Sequence, residues 1–408
     1  MRQLLLLIFV GSLSACDTGT GPVEETQAIT DWRLTIHLPD VDLPAQLHLA
    51  VDGSEAWFVN GAEKVRVPEV TQRAGSIKLY FPSFNNTLLL HRTGTQLKGS
   101  LTLIKRGYEQ VMQVTGEADS GYRFQKDPQA SSDFTGRWEV IFIDHDGDES
   151  MAIGEFDQQG SQVTGTFLTP TGDYRYLAGE VDGDMLHLST FDGAHAFVFT
   201  AHMQADGSLQ GDFWSGTRWH ERWTAQRNFD AHLPDAYSLT YLKQGYDRIE
   251  FSFPDLDGQP VSLADEKYRD KVVLVTLSGT WCPNCADEAA FLSGYYRQNK
   301  QRGLEVITLL YEHFEEFELA AQQGRALRSE FGIEYDLLVA GISSKTMASE
   351  TLPMMSRVLA FPTMIFIDRK GKVRNIHTGF SGPGTGQHYQ QFVSGFNTQM
   401  DELLDEDA

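Results

Sequence analysis

The chain has 408 residues, with 33 Lys and Arg against 56 Asp and Glu, giving a formal charge of −23. Its 41% hydrophobic content excludes disorder throughout, and its acidity excludes the clustered Lys and Arg that a nucleic-acid binder or an electrostatic lipid binder needs. Three cysteines cannot staple a chain whose length suits roughly two or three domains, each burying a core.

At the N-terminus, Arg2 precedes an apolar run from Leu4 to Val10 and then small residues. This is the pattern of a secretory signal, too short to span a bilayer. The stretch Leu13-Ser14-Ala15-Cys16 resembles the bacterial lipobox. The resemblance implies cleavage after residue 15, lipidation of Cys16 and a lipid anchor; an ordinary signal with a chance cysteine is the alternative. Asp17 resembles the retention signal of enterobacterial lipoproteins, which implies the periplasmic face of the inner membrane. Removing residues 1–15 takes away only the charge of Arg2, leaving −23 − 1 = −24. Residues 16–28 are small, polar and acidic, as in a flexible tether. No later segment is long and apolar enough to cross a membrane.

From Asp31 to Arg227 the chain alternates apolar and polar residues in short runs, as in Trp32-Arg33-Leu34-Thr35-Ile36. Asp-Gly turns at 52–53, 182–183 and 206–207 punctuate them, and helical periodicity is absent. This predicts an all-β region of antiparallel sandwich or barrel modules over about 29–128 and 133–228, followed by a linker over 229–247. The segments 94–101 and 160–167 echo each other in the pattern Gly-x-Gln, but the offset is not kept elsewhere, so a repeat is not established.

After Pro234 continuous apolar runs replace alternation. Val272–Leu277 reads as a strand covered on both faces, Asn284–Lys300 as a helix and Leu304–Tyr311 as a second strand. Phe314–Phe331 reads as a helix, Phe361–Ile367 as a third strand turning through Asp368–Gly371 into Lys372–Gly379, and Gly386–Leu404 as a last helix. Strands alternating with helices over 248–404 predict an α/β domain with a mixed sheet. The acidic end, Asp401–Asp407, reads as a solvated tail.

The other two cysteines stand in Trp281-Cys282-Pro283-Asn284-Cys285, after a strand and at a helix start. Free N–H groups and the helix dipole favour a thiolate there, lowering a thiol's pKa from about 8.5 towards neutrality. Two intervening residues bring both sulfurs within bonding distance over one turn, so an exposed Cys282 attacks and Cys285 resolves. Zinc would need four ligands, and neither a second Cys pair nor a suitably placed His pair exists. A structural disulfide closing so short a loop would stabilise little. No metal and no cofactor are expected.

Together with Phe361-Pro362-Thr363, Phe366-Ile367-Asp368, Gly371, Lys271–Leu274 and Phe253–Gly258, the motif resembles the thioredoxin fold. Within that fold it is most similar to the TlpA/ResA-type periplasmic thiol–disulfide oxidoreductases, over about 250–400. The resemblance implies that Pro362 is a cis-proline facing the cysteine pair and shaping the substrate groove. It implies that Trp281 packs beside the pair, and that Glu288, three residues after Cys285, tunes the thiols; a surface glutamate is the alternative. It further implies reduction of protein disulfides outside the cytoplasm, with a disulfide-bearing protein as substrate and a membrane thiol–disulfide transporter as electron donor. Two departures stand out: Pro283 comes first inside the motif, resembling the oxidising DsbA-type arrangement, and Ala286 replaces the usual basic residue. The direction of electron flow is therefore open.

Other signals are weaker. Asp144-His145-Asp146-Gly147-Asp148 with Glu155 brushes against a calcium loop, but lacks its sixth-position Gly and flanking helices, so a hairpin is expected. His187, His195 and His202 lie in separate β-runs, and Trp214, Trp219, Trp223, Tyr174 and Tyr176 read as core before ligand face. A peroxiredoxin-like peroxidase is a rival reading, but Gly279 stands where its threonine belongs. The other rival is a ligand-binding lipoprotein with a regulatory thiol pair.

Overall fold

The structure, a computed structural model, describes residues 29–406. The signal, Cys16 and the tether therefore lie outside the described residues. Among those described, no helix is long and apolar enough to cross a membrane.

Nine antiparallel strands between Ile29 and Ala118 form one sheet. The alternation sets its faces: Trp32, Leu34 and Ile36 are buried, while Arg33 and Thr35 between them are not. The edge strands are Glu63–Arg66 and Glu69–Arg73. Only Val67 and Pro68 separate them, so the sheet curls until its two edges meet at one end. No ladder zips them together, so the result is an open half-barrel. Proline and charged side chains are the residues that blunt sheet edges.

The second sheet closes. Gly136–Ile143 pairs with Trp219–Arg227 on one side and Glu149–Gln159 on the other, and the latter continues onto Gln162–Thr169. Of its nine strands, the two-residue Gly172–Asp173 is a side branch, leaving eight in the ring. The interior is aromatic: Phe199 stacks on Phe213 with centroids 4.3 Å apart, and Phe142, Phe167, Tyr174 and Trp223 surround them. Half-barrel and barrel also share a core, since Phe58 and Phe81 pack on Phe191 of the barrel. Arg123, fully buried, ties the two by donating to Val59 O, Asn60 Oδ1 and Ser189 Oγ.

The C-terminal part is thioredoxin-like. Its five strands run Asp336–Ile342, Leu304–Glu312, Val272–Ser278, Thr363–Ile367, Val373–Thr378 across the sheet. The first three are mutually parallel and the last two antiparallel. Every residue of Val272–Ser278 is buried, as expected of a central strand covered on both faces. The helices are α1 (Pro283–Asn299), α2 (Phe317–Phe331), α3 (Lys345–Thr351) and α4 (Gln387–Asp405).

Three features differ from the sequence reading. Asp336–Ile342 is an additional strand. The acidic end is no tail as far as Asp405: α4 runs to that residue with Met400, Leu403 and Leu404 buried, while Asp401 and Asp405 pair with Arg302. Helix α3, Lys345–Thr351, is a further element that the sequence reading lacked; in the segment read as a linker, Ala236 O accepts from Thr378 N–H and Lys243 N–H donates to Met354 O.

Candidate active site

Strand Val272–Ser278 ends just before Cys282, which is the N-cap of α1. Pro283 takes the first helical position, where a missing N–H costs nothing. The Cys285 N–H donates to Cys282 Sγ at 3.2 Å, so a backbone donor meets the sulfur on which thiolate charge forms. Both thiols are free, and both are buried, Cys282 at 7% exposure and Cys285 at 2%. An exposed Cys282 was expected, so this is a correction. The Cys282 sulfur lies against Phe361 O and the Cys285 N–H.

One flank is the loop before strand Thr363–Ile367. The Phe361–Pro362 peptide is cis, Cys282 Sγ lies 3.6 Å from Phe361 O, and Gly379 N–H donates to Pro362 O. The Nε1 of Trp281 donates to Tyr311 O at 2.8 Å, and its ring stacks on His313 and meets Phe361 edge-on. Burial, with Lys105 and Arg106 nearby, pushes His313 down to about 3, so this imidazole is neutral near pH 7.

Two buried carboxyls sit behind the pair. Glu288 is 1% exposed and its Oε1 has no hydrogen-bond partner. Burial first, then Cys282, push it well above the carboxylate range. Cys285 is likewise pushed up by burial, by its contact and charge interaction with Cys282, and by Glu288. The helical spacing thus does bring Glu288 to the thiols. Glu312, at the end of strand Leu304–Glu312, was not singled out from the sequence. Its carboxyl accepts the Thr280 N–H at 2.8 Å and the Thr280 hydroxyl at 2.7 Å, and burial pushes it up to about 7. Its signal was visible: a charge closing an apolar run at the carboxyl end of a parallel strand, where sites of open α/β sheets gather.

The second flank of the motif belongs to the barrel. Asn284 Nδ2 donates to Asp173 O at 3.2 Å, and Gly382 N–H donates to Asp173 Oδ2 at 2.7 Å. Arg175 Nη1 donates to Pro283 O at 3.1 Å and to Asp287 Oδ2 at 2.6 Å. The same guanidinium meets Glu63 at 2.6 Å and Asp192 at 3.3 Å. With three carboxylates around one guanidinium, one is the natural place for a proton. Burial pushes Asp287 up to about 7, with Asp173 and Glu63 adding to the push and Arg175 opposing it. Despite burial, His195 and then Arg175 hold Asp192 well below the carboxylate range.

A family model described as AhpC/TSA family matches residues 245–376. A thiol-disulfide oxidoreductase ResA from Bacillus cereus is 31% identical over 133 residues, covering 32% of this chain and 68% of that protein. The chain belongs to the ResA-type thiol–disulfide oxidoreductases. The thioredoxin-like protein YneN of Bacillus subtilis (strain 168) is 26% identical over 140 residues, covering 34% of this chain and 73% of that protein. Among solved structures, a putative thiol:disulfide interchange protein DsbE from Chlorobium tepidum is 20% identical and covers 38% of this chain and 98% of that one, with a TM-score of 0.29. The matches to the family model and to ResA each cover about a third of the chain, and the family model begins after Arg175 and the rest of the barrel.

The remaining sequence candidates do not join the site of this oxidoreductase. Asp144, His145 and Asp146 crowd a hairpin turn, while Glu155 pairs instead with Arg137 and His388. His195 reaches the site only through Asp192 of the Arg175 cluster, while His202 pairs with Asp184 and His187 packs on Phe124. Tyr174 and Trp223 are barrel core, Trp214 packs against the half-barrel core, and Trp219 is exposed. Tyr176 lines a cavity of about 560 Å³ with Arg137, Thr166 and Phe229.

Proposed function

We propose that this chain is an extracytoplasmic, lipid-anchored oxidoreductase that reduces protein disulfides through Cys282 and Cys285. The observation that carries the reading is the Cys285 N–H on Cys282 Sγ at the start of α1, beside the Phe361 carbonyl. Cys282 as thiolate attacks one sulfur of a substrate disulfide, forming a mixed disulfide and releasing the other substrate sulfur as thiolate. Cys285 then loses its proton and attacks Cys282 Sγ, so the second substrate sulfur leaves and Cys282–Cys285 closes as a disulfide. Two electrons pass from the pair to the substrate. The buried Glu288 carboxyl, whose charge interacts with Cys285, is the titratable group through which the thiol's proton can pass. Pro362, next to the carbonyl that Cys282 faces, shapes the substrate groove, and Trp281 walls it. A membrane thiol–disulfide transporter re-reduces the pair, and Cys16 supplies the anchor that keeps the chain within its reach.

The test uses Cys285→Ala, which removes the resolving thiol. Incubated with insulin it should accumulate a mixed disulfide through Cys282, resolved on a non-reducing gel, while the wild-type chain reduces insulin and Cys282→Ser does neither. Absence of both trapping and insulin reduction, or peroxide turnover in their place, refutes the reading.

A further inference from the structure

The barrel leaves its ring between Thr169 and Leu177, and this side arm lies across the start of α1. Its contacts with the thioredoxin-like domain include both residues inside the cysteine motif and the segments at Gly379, Gly382 and Gly384. Thr171 lies against Gly379, where an added Cβ would stand 2.8 Å from the Thr171 carbonyl carbon, and the Gly379 N–H holds Pro362 O. Asp173 accepts from Gly382 and from Asn284, the second residue inside the cysteine motif. Arg175 grips the carbonyl of Pro283, the first residue inside it. Behind Arg175 stand Glu63 of the half-barrel, Asp192 of the barrel and Asp287 of α1, so one side chain joins all three parts of the molecule.

A protein whose disulfide is attacked by Cys282 must bring its own chain alongside Pro283–Asn284 and Phe361–Pro362. The side arm already fills one side of that surface, and Cys282 is left 7% exposed. We propose that Arg175 is a specificity-determining residue: it pins the side arm over the motif, so that a protein disulfide reaches Cys282 only when the arm lifts. A small disulfide needs far less clearance. The arm therefore filters substrates by whether they can displace it, and the proposal rests on the reading of Cys282 as the attacking thiol. The arm suits the task. Tyr174 anchors its middle in the barrel's aromatic core, while the stretches on either side are held to the thioredoxin-like domain by one ion cluster and a few hydrogen bonds, the kind of hold that local opening breaks.

The test uses the full chain, pre-reduced, wild type and Arg175→Ala, and follows single-turnover oxidation by insulin and by 2-hydroxyethyl disulfide. The ratio of the insulin rate to the small-disulfide rate should rise about tenfold or more in Arg175→Ala, the factor expected when about one molecule in ten is open in the wild type. A purely structural Arg175 would lower the melting temperature and leave the ratio unchanged, which overturns the proposal. A second measurement needs no change at Arg175. In the mixed disulfide of Cys285→Ala with insulin, the amide of Arg175, bonded to Asp173 Oδ1 within the arm, should lose hydrogen-exchange protection. Unchanged protection there overturns the proposal as well. If neither disulfide oxidises the wild-type chain, the reading of Cys282 and Cys285 fails, and this proposal falls with it.

Discussion

Glu312→Gln isolates the energetics of one buried group beside the site. In the folded chain burial pushes the carboxyl from 4.5 up to about 7, although Thr280 hydrogen-bonds to both oxygens. Between those values the folded chain holds a proton that the unfolded chain has released. More protons bound to the folded form means that stability falls as pH rises through the window, and levels off above about 7. The window spans 7 − 4.5 = 2.5 units, and at about 1.36 kcal/mol per unit its full effect is about 3 kcal/mol. Glutamine keeps an acceptor for the Thr280 N–H, and its amide can donate to the Thr280 hydroxyl, so the geometry survives without the charge. Asp287 and Glu288 are also pushed up, so only the difference between the two proteins reports on Glu312. Urea denaturation of both from pH 4.5 to 8 should show Glu312→Gln gaining about 3 kcal/mol relative to wild type as pH rises. Parallel curves would refute the argument.

Glu288→Gln removes a charge that pushes Cys285 up, so the pH profile of the resolving step should move to lower pH, measured by rapid quench of the mixed disulfide. Phe199→Ala empties the centre of the barrel's aromatic cluster and should cost about 3–5 kcal/mol in urea denaturation. Gly379→Ala puts a Cβ 2.8 Å from the Thr171 backbone at a φ of +80°. It should cost about 1 kcal/mol or more, and alkylation of Cys282 by iodoacetamide should accelerate as the side arm is displaced.

The thioredoxin-like part was legible because its signals are local. Seven consecutive buried residues in Val272–Ser278 and a cysteine pair at a helix start need no knowledge of the rest of the chain. Glu288 was reachable by helical spacing alone. Strand Asp336–Ile342 escaped because Leu337–Ile342 is a short apolar stretch without alternation, interrupted by Gly341, which helix and strand fit equally. The acidic end misled because charge was counted without position: Met400, Leu403 and Leu404 share the buried face of α4, and the acids lie off it. In the β-region, alternation told which face of each strand is buried but not its neighbour, so an open half-barrel and a closed barrel look alike in sequence. The barrel's contact with the cysteine motif was beyond reach for the same reason, since Asp173 lies 111 residues from the Asn284 it accepts from.

The bond between Asn284 and Asp173 gives the two residues inside the cysteine motif a second duty. In a free-standing thioredoxin domain that dipeptide is a dial for redox potential, adjustable by substitution without disturbing distant parts. Here Pro283 offers the carbonyl that Arg175 takes and Asn284 the amide that reaches Asp173. A dipeptide grafted in to make the chain more oxidising or more reducing would also loosen or retighten the barrel's hold. Chemistry and access cannot drift apart one substitution at a time, and variation at 283–284 has to be matched by variation at 173–175.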